Sequence, residues 1–323
     1  MNNMYWTLTG NKDETILKNE MTAFEEEWKD ILSGKGKLEK DKKILKISTI
    51  TLIIGVFLII LDFTILFSQI TFYIGLVVAI ISIIVYTYLK NLYKEKSKDF
   101  LKMEIAKENN WFYAKNKSTA DQRTLEQKIP EIFKRGNTGN RYVDDQYFGT
   151  FDIQNKQTAF HFGNFYYEIE SGSGDDRHTT PYPNNFFAFK LNKPLENKFI
   201  VYPEGIFSKI GNMFSKKDVD LESIEFNKKF SFSYKESNTK SDISKIFKPS
   251  LQLKFLELVA NKKGFSVLFD KEQVIFLFSG FLVPYFKTDI TKTLEINPED
   301  KQKLTTEINF LKSIMSEIIK SVN

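Results

Sequence analysis

Two long apolar runs, residues 47–67 and 70–89, constrain this chain more than any other feature, because each is long enough to cross a bilayer. A helix needs roughly 20 mostly apolar residues to span the hydrocarbon core. Only Ser68 and Gln69 stand between the runs, so the second helix must turn back at once and the two make a tight antiparallel or re-entrant hairpin. A cleaved leader does not fit, since the first run begins only at Ile47 and carries no small-residue cleavage pattern. The pattern predicts an integral membrane protein with two spans.

Lysines set the orientation. Lys35, Lys37, Lys40, Lys42, Lys43 and Lys46 precede the first run, and Lys90, Lys94, Lys96, Lys98 and Lys102 follow the second. Lysine excess marks the cytoplasmic side of a membrane protein. Both termini are therefore expected in the cytoplasm, with residues 62–71 at the far surface and Lys46 snorkelling toward the headgroups. Tyr86, Tyr88 and Tyr93 stand where an inner aromatic belt would lie. Asp62 is an ionisable residue within a span, a pattern that can mark a transport pathway. Its place near the outer end suits an interfacial carboxylate or turn residue better.

The chain has 323 residues and no cysteine, which excludes disulfides, thiolate metal sites and thiol nucleophiles. Its net charge of +5 would suit a nucleic-acid binder, but much of the lysine flanks the spans, where it can meet anionic lipid. No aromatic-basic motif of a nucleic-acid module occurs elsewhere. The expected partner is the lipid bilayer, and nucleic acid is not one.

Before the spans, Leu17, Met21, Phe24 and Trp28 recur at spacings of three and four, one stripe of a helix. Glu20, Glu25, Glu26, Glu27 and Asp30 occupy the opposite face. An interfacial helix carries a basic face toward anionic lipid. This stripe is therefore expected to dock on protein, and its four apolar residues are the candidate interaction surface. Gly34 and Gly36 end the helix.

After the second span, helical character runs on through residues 90–108 as a stalk, and Trp111, Phe112 and Tyr113 mark entry into a folded domain. A polar helix is expected over 118–134 and a Gly/Asn-rich loop over 135–140. Strands follow at 146–153 and 159–169. Residues 171–185 read as a polar loop, and 185–191 and 198–202 as the next strand pair. A short helix over 204–214 and a strand over 224–234 come next. Pro249 opens a helix to Ala260, since proline is tolerated in the first turn. Residues 265–269 and 274–278 make a second hairpin. Asn297-Pro298-Glu299 starts a last helix whose apolar face holds Leu304, Ile308, Leu311, Met315 and Ile318 or Ile319. Segregated strands and helices favour α+β with antiparallel strands.

Chemistry is sparse. His161 and His178 are the only histidines, neither has a second histidine at ligand spacing, and no HExxH or nucleotide-cradling glycine motif is present. His161 alternates with Phe160 and Phe162 on a strand and reads as structural or solvent-facing; His178 lies beside Asp175, Asp176 and Arg177 and reads as solvated. The stretch 171–176, Ser-Gly-Ser-Gly-Asp-Asp, lacks the following helix and lysine of a phosphate loop and reads as a strand connection. Asp144-Asp145 and the pair Glu168, Glu170 are the close carboxylates of the β region. Two-residue spacing puts Glu168 and Glu170 on one strand face, which allows acid/base work, but no companion nucleophile or ligand is supplied. No catalytic residue, metal site or cofactor is expected.

Asp145-Gln146-Tyr147-Phe148-Gly149, residues 162–168, Phe187-Ala188-Phe189-Lys190-Leu191-Asn192-Lys193 and above all residues 221–230, LESIEFNKKF, resemble a bacterial family known only as a domain of unknown function. The resemblance implies an N-terminal helix, two transmembrane helices and a cytoplasmic α+β domain, often encoded beside LemA-type membrane proteins. It brings no activity or catalytic residues. The chain departs from the family pattern after Phe230: where members have an acidic, arginine-containing stretch and a Thr-Pro helix start, it has residues 235–247 and then Lys248-Pro249.

The expected organisation is therefore an N-terminal amphipathic helix and basic linker (1–43), a transmembrane hairpin (44–90), a helical stalk (91–117) and a cytoplasmic α+β domain (118–323). The leading functional expectation is a membrane-anchored interaction or scaffold domain of an envelope-associated complex, with a homo-oligomer or a LemA-like membrane protein as partner. A membrane-tethered hydrolase or sensor domain using carboxylates such as Glu168, or a subunit of an oligomeric channel, stands as the alternative.

Overall fold

A computed structural model describes residues 4–7, 10–32, 37–61, 69–115, 119–128, 137–204, 219–235, 238–261, 264–279 and 298–322. The chain divides into two compact units. One comprises Met1–Lys18, Ala106–Tyr285 and Pro298–Asn323; the described residues of the other lie within Asn19–Ile105.

Strands β1 (Met4–Thr7) and β2 (Gly10–Asp13) pair into a small antiparallel ribbon at the start of the chain. Helix α1 (Glu14–Leu32) follows, opened by Asp13, whose carboxylate accepts from Thr15 N at 2.7 Å. Helices α2 (Lys37–Leu61) and α3 (Gln69–Glu108) contain the apolar runs. Both are long and apolar enough to cross a membrane, over Lys43–Leu61 and Phe72–Asn91.

The helix pair is held by small residues. Ser48 Oγ donates to Ser82 O at 2.7 Å, and the Thr51 and Ser82 hydroxyls meet at 2.8 Å. A Cβ on Gly55 would stand 3.0 Å from the backbone of both Gly75 and Ala79, and one on Gly75 would stand 3.0 Å from Gly55 O. Ser48 and Thr51 therefore lie opposite Ser82, and Gly55 opposite Gly75 and Ala79, an antiparallel crossing close enough for backbones to touch. The large side chains point away from the seam: Ile47, Ile50, Ile53, Phe57, Ile74, Val77, Ile81 and Ile84 are all exposed.

In the other unit, β3 (Phe112–Ala114), α4 (Thr119–Lys128), β4 (Asn137–Ile153), β5 (Lys156–Ser171), β6 (His178–Lys190) and β7 (Phe199–Pro203) precede a short helix α5 (Ile224–Lys229). Then come β8 (Phe230–Tyr234), α6 (Thr239–Ile246), α7 (Pro249–Asn261), β9 (Phe265–Asp270), β10 (Gln273–Ser279) and α8 (Pro298–Val322). Among the described residues, eight strands form one antiparallel sheet in the order β3-β4-β5-β6-β10-β9-β7-β8. The chain is α+β with an antiparallel sheet.

Phenylalanine fills one face of that sheet. Phe199 stacks on Phe269 at 4.6 Å, Phe247 meets Phe269 at 5.6 Å, and Phe226 of α5 and Phe255 of α7 close on Phe247 at 5.6 and 5.1 Å. Each such side chain stabilises the fold by roughly 1.5–3 kcal/mol through burial. The opposite face holds Val143, Phe165, Phe186, Ala188, Leu268, Ile275 and Leu277 with Leu125 of α4, and Trp6 of β1 packs against that cluster. Ile314, Met315, Ile318 and Ile319 give α8 its buried stripe.

Several local expectations are corrected. Residues 224–234 are not one strand: Ser223 Oγ accepts from Phe226 N and caps α5, whose Phe226 stacks on Phe230 at 4.5 Å before β8 begins. The polar stretch from His178 is not a loop but the outer half of β6. Pro181 and Pro183 fit there because the pairing with β10 ends at Asn184, which leaves that stretch with β5 as its one neighbour among the described residues. Strands β6 and β7 do not pair, since the β9–β10 hairpin is inserted between them. The loop expected over 135–140 gives way to β4 at Asn137. The helix expected over 204–214 falls almost wholly outside the described residues, as do Gly34, Gly36, Asp62, Ser68 and the end of the helix expected to reach Lys134.

Candidate functional site

The densest polar chemistry of the sheet lies at the outer end of β4, β5 and β6. Asp144 pairs with Asn164, but Tyr147 pairs with Phe162, so Asp145 and Gln146 together stand opposite Gly163 in a β-bulge. Asp145 takes a left-handed backbone there, with φ of 47°. The bulge re-aims its carboxylate, which accepts from Tyr113 OH at 2.5 Å and from Asn164 Nδ2 at 2.9 Å. Asn185, fully buried on β6, donates to Asn164 Oδ1 at 2.6 Å and extends the chain of bonds across three strands. Beside it His161 Nε2 donates to Gln146 Oε1 at 2.9 Å, enclosed by the rings of Phe148 and Phe186.

Further out, Tyr142 and Tyr166 are directly paired and stack with centroids 4.9 Å apart. Tyr166 OH donates to Glu168 Oε1 at 2.6 Å, and Asn140 N donates to Glu168 Oε2 at 3.0 Å. Strand alternation puts Tyr142, Asp144, Asn164, Tyr166 and Glu168 on one half-buried face. The bond to Glu168, then burial and the charge of Glu168, push the Tyr166 phenol up to about 12. Burial, followed by the charges of Asp144, Glu168 and Asp145, raises Tyr142 as well. Both phenols stay neutral donors at physiological pH, and the carboxylates beside them supply the negative charge.

Such an arrangement presents acceptors and aromatic faces together, which suits a cationic group on a partner. Both oxygens of Asp145 and of Glu168 accept hydrogen bonds within the sheet. Among the described residues, no group of three or more His, Asp and Glu side chains is arranged to hold a metal ion.

The residues singled out from sequence are scattered. Leu17 and Met21 are buried, whereas the side chains of Phe24 and Trp28 lie outside the described ones. His161 is a buried core residue, not a solvent-facing one. His178 is exposed and meets Ser171 Oγ at 2.7 Å across the last pair of the β5–β6 hairpin. Glu168 and Glu170 do share β5, but it is Tyr166, Tyr142 and Asn164 that Glu168 and the aspartates are brought to. The signal for those partners was the alternation Asn164, Tyr166, Glu168 opposite Tyr142, Asp144, legible only once β4 and β5 are put in register.

The class defined by these features is an α+β domain on a long antiparallel sheet, in a chain that also carries two helices able to cross a membrane. Comparison with protein-family models, with curated proteins and with solved structures finds no match.

Proposed function

We propose that this chain is a membrane-anchored interaction domain: α2 and α3 cross the bilayer as a hairpin, and the folded unit works at the cytoplasmic surface as a scaffold in an envelope-associated complex. The observation that carries the reading is the way the chain's ends combine. Residues before the helix pair and residues after it belong to one compact unit, with Trp6 packed against the core of the C-terminal sheet. A crossing by the pair must then return the chain to the side it left, so two spans are required. The lysines at 35–46 and 90–102 support the cytoplasm as that side.

Membrane insertion has its own support. A core helix of a soluble protein is mostly buried, whereas α2 and α3 keep their large aliphatic side chains outward and meet through serine, threonine, glycine and alanine. Exposed apolar surface on this scale needs lipid or protein to cover it. For the partner, the face carrying Tyr142, Asp144, Tyr166 and Glu168 is the proposed contact, fitted to lysine or arginine side chains of a neighbouring membrane protein or of a second copy. The family resemblance adds a LemA-type protein as a candidate for that neighbour.

A photo-crosslinking side chain placed at Tyr166 in native membranes tests this. A discrete adduct that disappears when Asp144→Lys is added, with the chain still in the membrane fraction, is the expected result. Absence of any adduct at Tyr166, or an adduct indifferent to the charge reversal, contradicts the assigned face.

A further inference from the structure

The helix pair has two chemically different ends. Counting from the level where Ser48 meets Ser82, a rise of 1.5 Å per residue puts Lys46 about 3 Å, Tyr86 about 6 Å, Lys43 about 7.5 Å and Lys90 about 12 Å further along the same direction. Because the helices are antiparallel, residues before Ser48 and residues after Ser82 gather at one end. Lys43, Lys46, Tyr88 and Lys90 are exposed there, and the Lys90 ammonium stands 5.7 Å from the Tyr86 ring centroid. Inside this level Ile47, Ile50, Ile80 and Ile81 are exposed. No lysine or arginine occurs between Lys46 and Lys90, so the other end of the pair has no such collar.

Residues 39–46 carry four lysines against Glu39 and Asp41, and residues 86–94 carry Lys90 and Lys94 with no acidic residue, so both flanks are net positive in sequence. Between Lys42 and Lys94 the chain contains a single acidic residue, Asp62. Three ammonium groups and two phenol rings thus share a layer roughly 10 Å deep at the edge of an apolar band, enough to cover the roughly 5–8 Å of headgroup region on one side of a bilayer.

We infer that this collar of Lys43, Lys46, Lys90, Tyr86 and Tyr88 binds the headgroups of anionic phospholipids and selects them over zwitterionic ones. The inference rests on the reading that α2 and α3 span the bilayer. A phosphodiester oxygen accepts from an ammonium group whether or not the lipid is charged overall. A choline headgroup, however, brings its own cation toward the lysines, and a glycerol headgroup does not. Preference therefore follows net lipid charge, at about fivefold per lysine engaged.

The test uses the full-length chain reconstituted into phosphatidylcholine vesicles with and without phosphatidylglycerol. Retained lipid is read by native mass spectrometry after gentle release. Phosphatidylglycerol retained several-fold over phosphatidylcholine, lost on raising salt and lost in the Lys43→Gln, Lys46→Gln, Lys90→Gln triple variant, is the expected outcome. Equal retention of the two lipids by the unaltered chain overturns the inference, as does an undiminished preference in the triple variant. Displacement of the lipid by inorganic phosphate at equal concentration also overturns it, since the source would then be free phosphate. Resistance to alkaline carbonate extraction is measured in parallel: a chain that washes off has failed the membrane-spanning reading itself, whereas one that stays inserted without lipid preference has failed only the collar.

Discussion

Glu168 accepts the hydrogen bond that sets Tyr166 apart from other tyrosines, and the consequence is open to titration. A phenol whose folded value is raised favours its protonated form in the fold. The stabilisation is complete below the ordinary tyrosine value of 10.0 and is lost as pH climbs through about 12. Spectrophotometric titration should therefore show a late phenolate that vanishes in Tyr166→Phe and moves down toward the ordinary value in Glu168→Ala. A titration unchanged by either substitution would remove the Tyr166–Glu168 bond from the account. The two histidines provide a contrast in burial. His161→Ala deletes a fully buried ring packed between Phe148 and Phe186 and orphans Gln146, so it should lower unfolding stability by about 3 kcal/mol. His178→Ala, at an exposed hairpin end, should stay within about 0.5 kcal/mol. Chemical denaturation of both variants checks the pair, and equal costs would contradict the burial of His161. Sequence alone could not separate these histidines by burial: alternation places His161 on a strand face, but whether that face is covered depends on strands distant in the chain.

Among the elements, those with local signals were the legible ones. Pro298 after Asn297 opens α8, the apolar stripe through Leu311 and Met315 carries it, and the β9–β10 hairpin is read from two apolar runs around Lys271-Glu272. Helix α5 was not legible, because Phe226 and Phe230 are four apart, a spacing that satisfies one face of a helix and one face of a strand alike. The outer half of β6 was not legible either: its polar residues pair with β5 at the sheet margin, where no apolar pattern is needed. Helices α2 and α3 were plain from length and hydropathy, yet their seam was not, since small residues carry no weight in an apolar run. That seam can be tested cleanly in a chain without cysteine. Thr51→Cys with Ser82→Cys replaces hydroxyls 2.8 Å apart and should give a rapid disulfide on mild oxidation. Adding Gly55→Leu, whose side chain would run into the Gly75 and Ala79 backbone, should reduce that yield several-fold. An undiminished yield would mean that the helices do not meet at Gly55.

For the whole molecule, the fold class was readable while the topology was not. Hairpins are local, but the placing of β9–β10 between β6 and β7 joins segments far apart in the chain, and nothing in either segment specifies the other. The same holds for β1: Trp6 completes a cluster built from residues beyond Leu125, and the two apolar helices lie between them in sequence. Under the proposal that the helix pair spans a membrane, this closure means that both flanks of the pair share one side of it. Labelling with a membrane-impermeant thiol reagent in intact and in opened cells, using the single variants Thr22→Cys, Gln69→Cys and Lys193→Cys, tests that requirement most directly. Gln69→Cys is expected to label in intact cells, and Thr22→Cys and Lys193→Cys only once the membrane is opened. Labelling of Thr22→Cys and Lys193→Cys from opposite sides, or a reversal of the whole pattern, would contradict it.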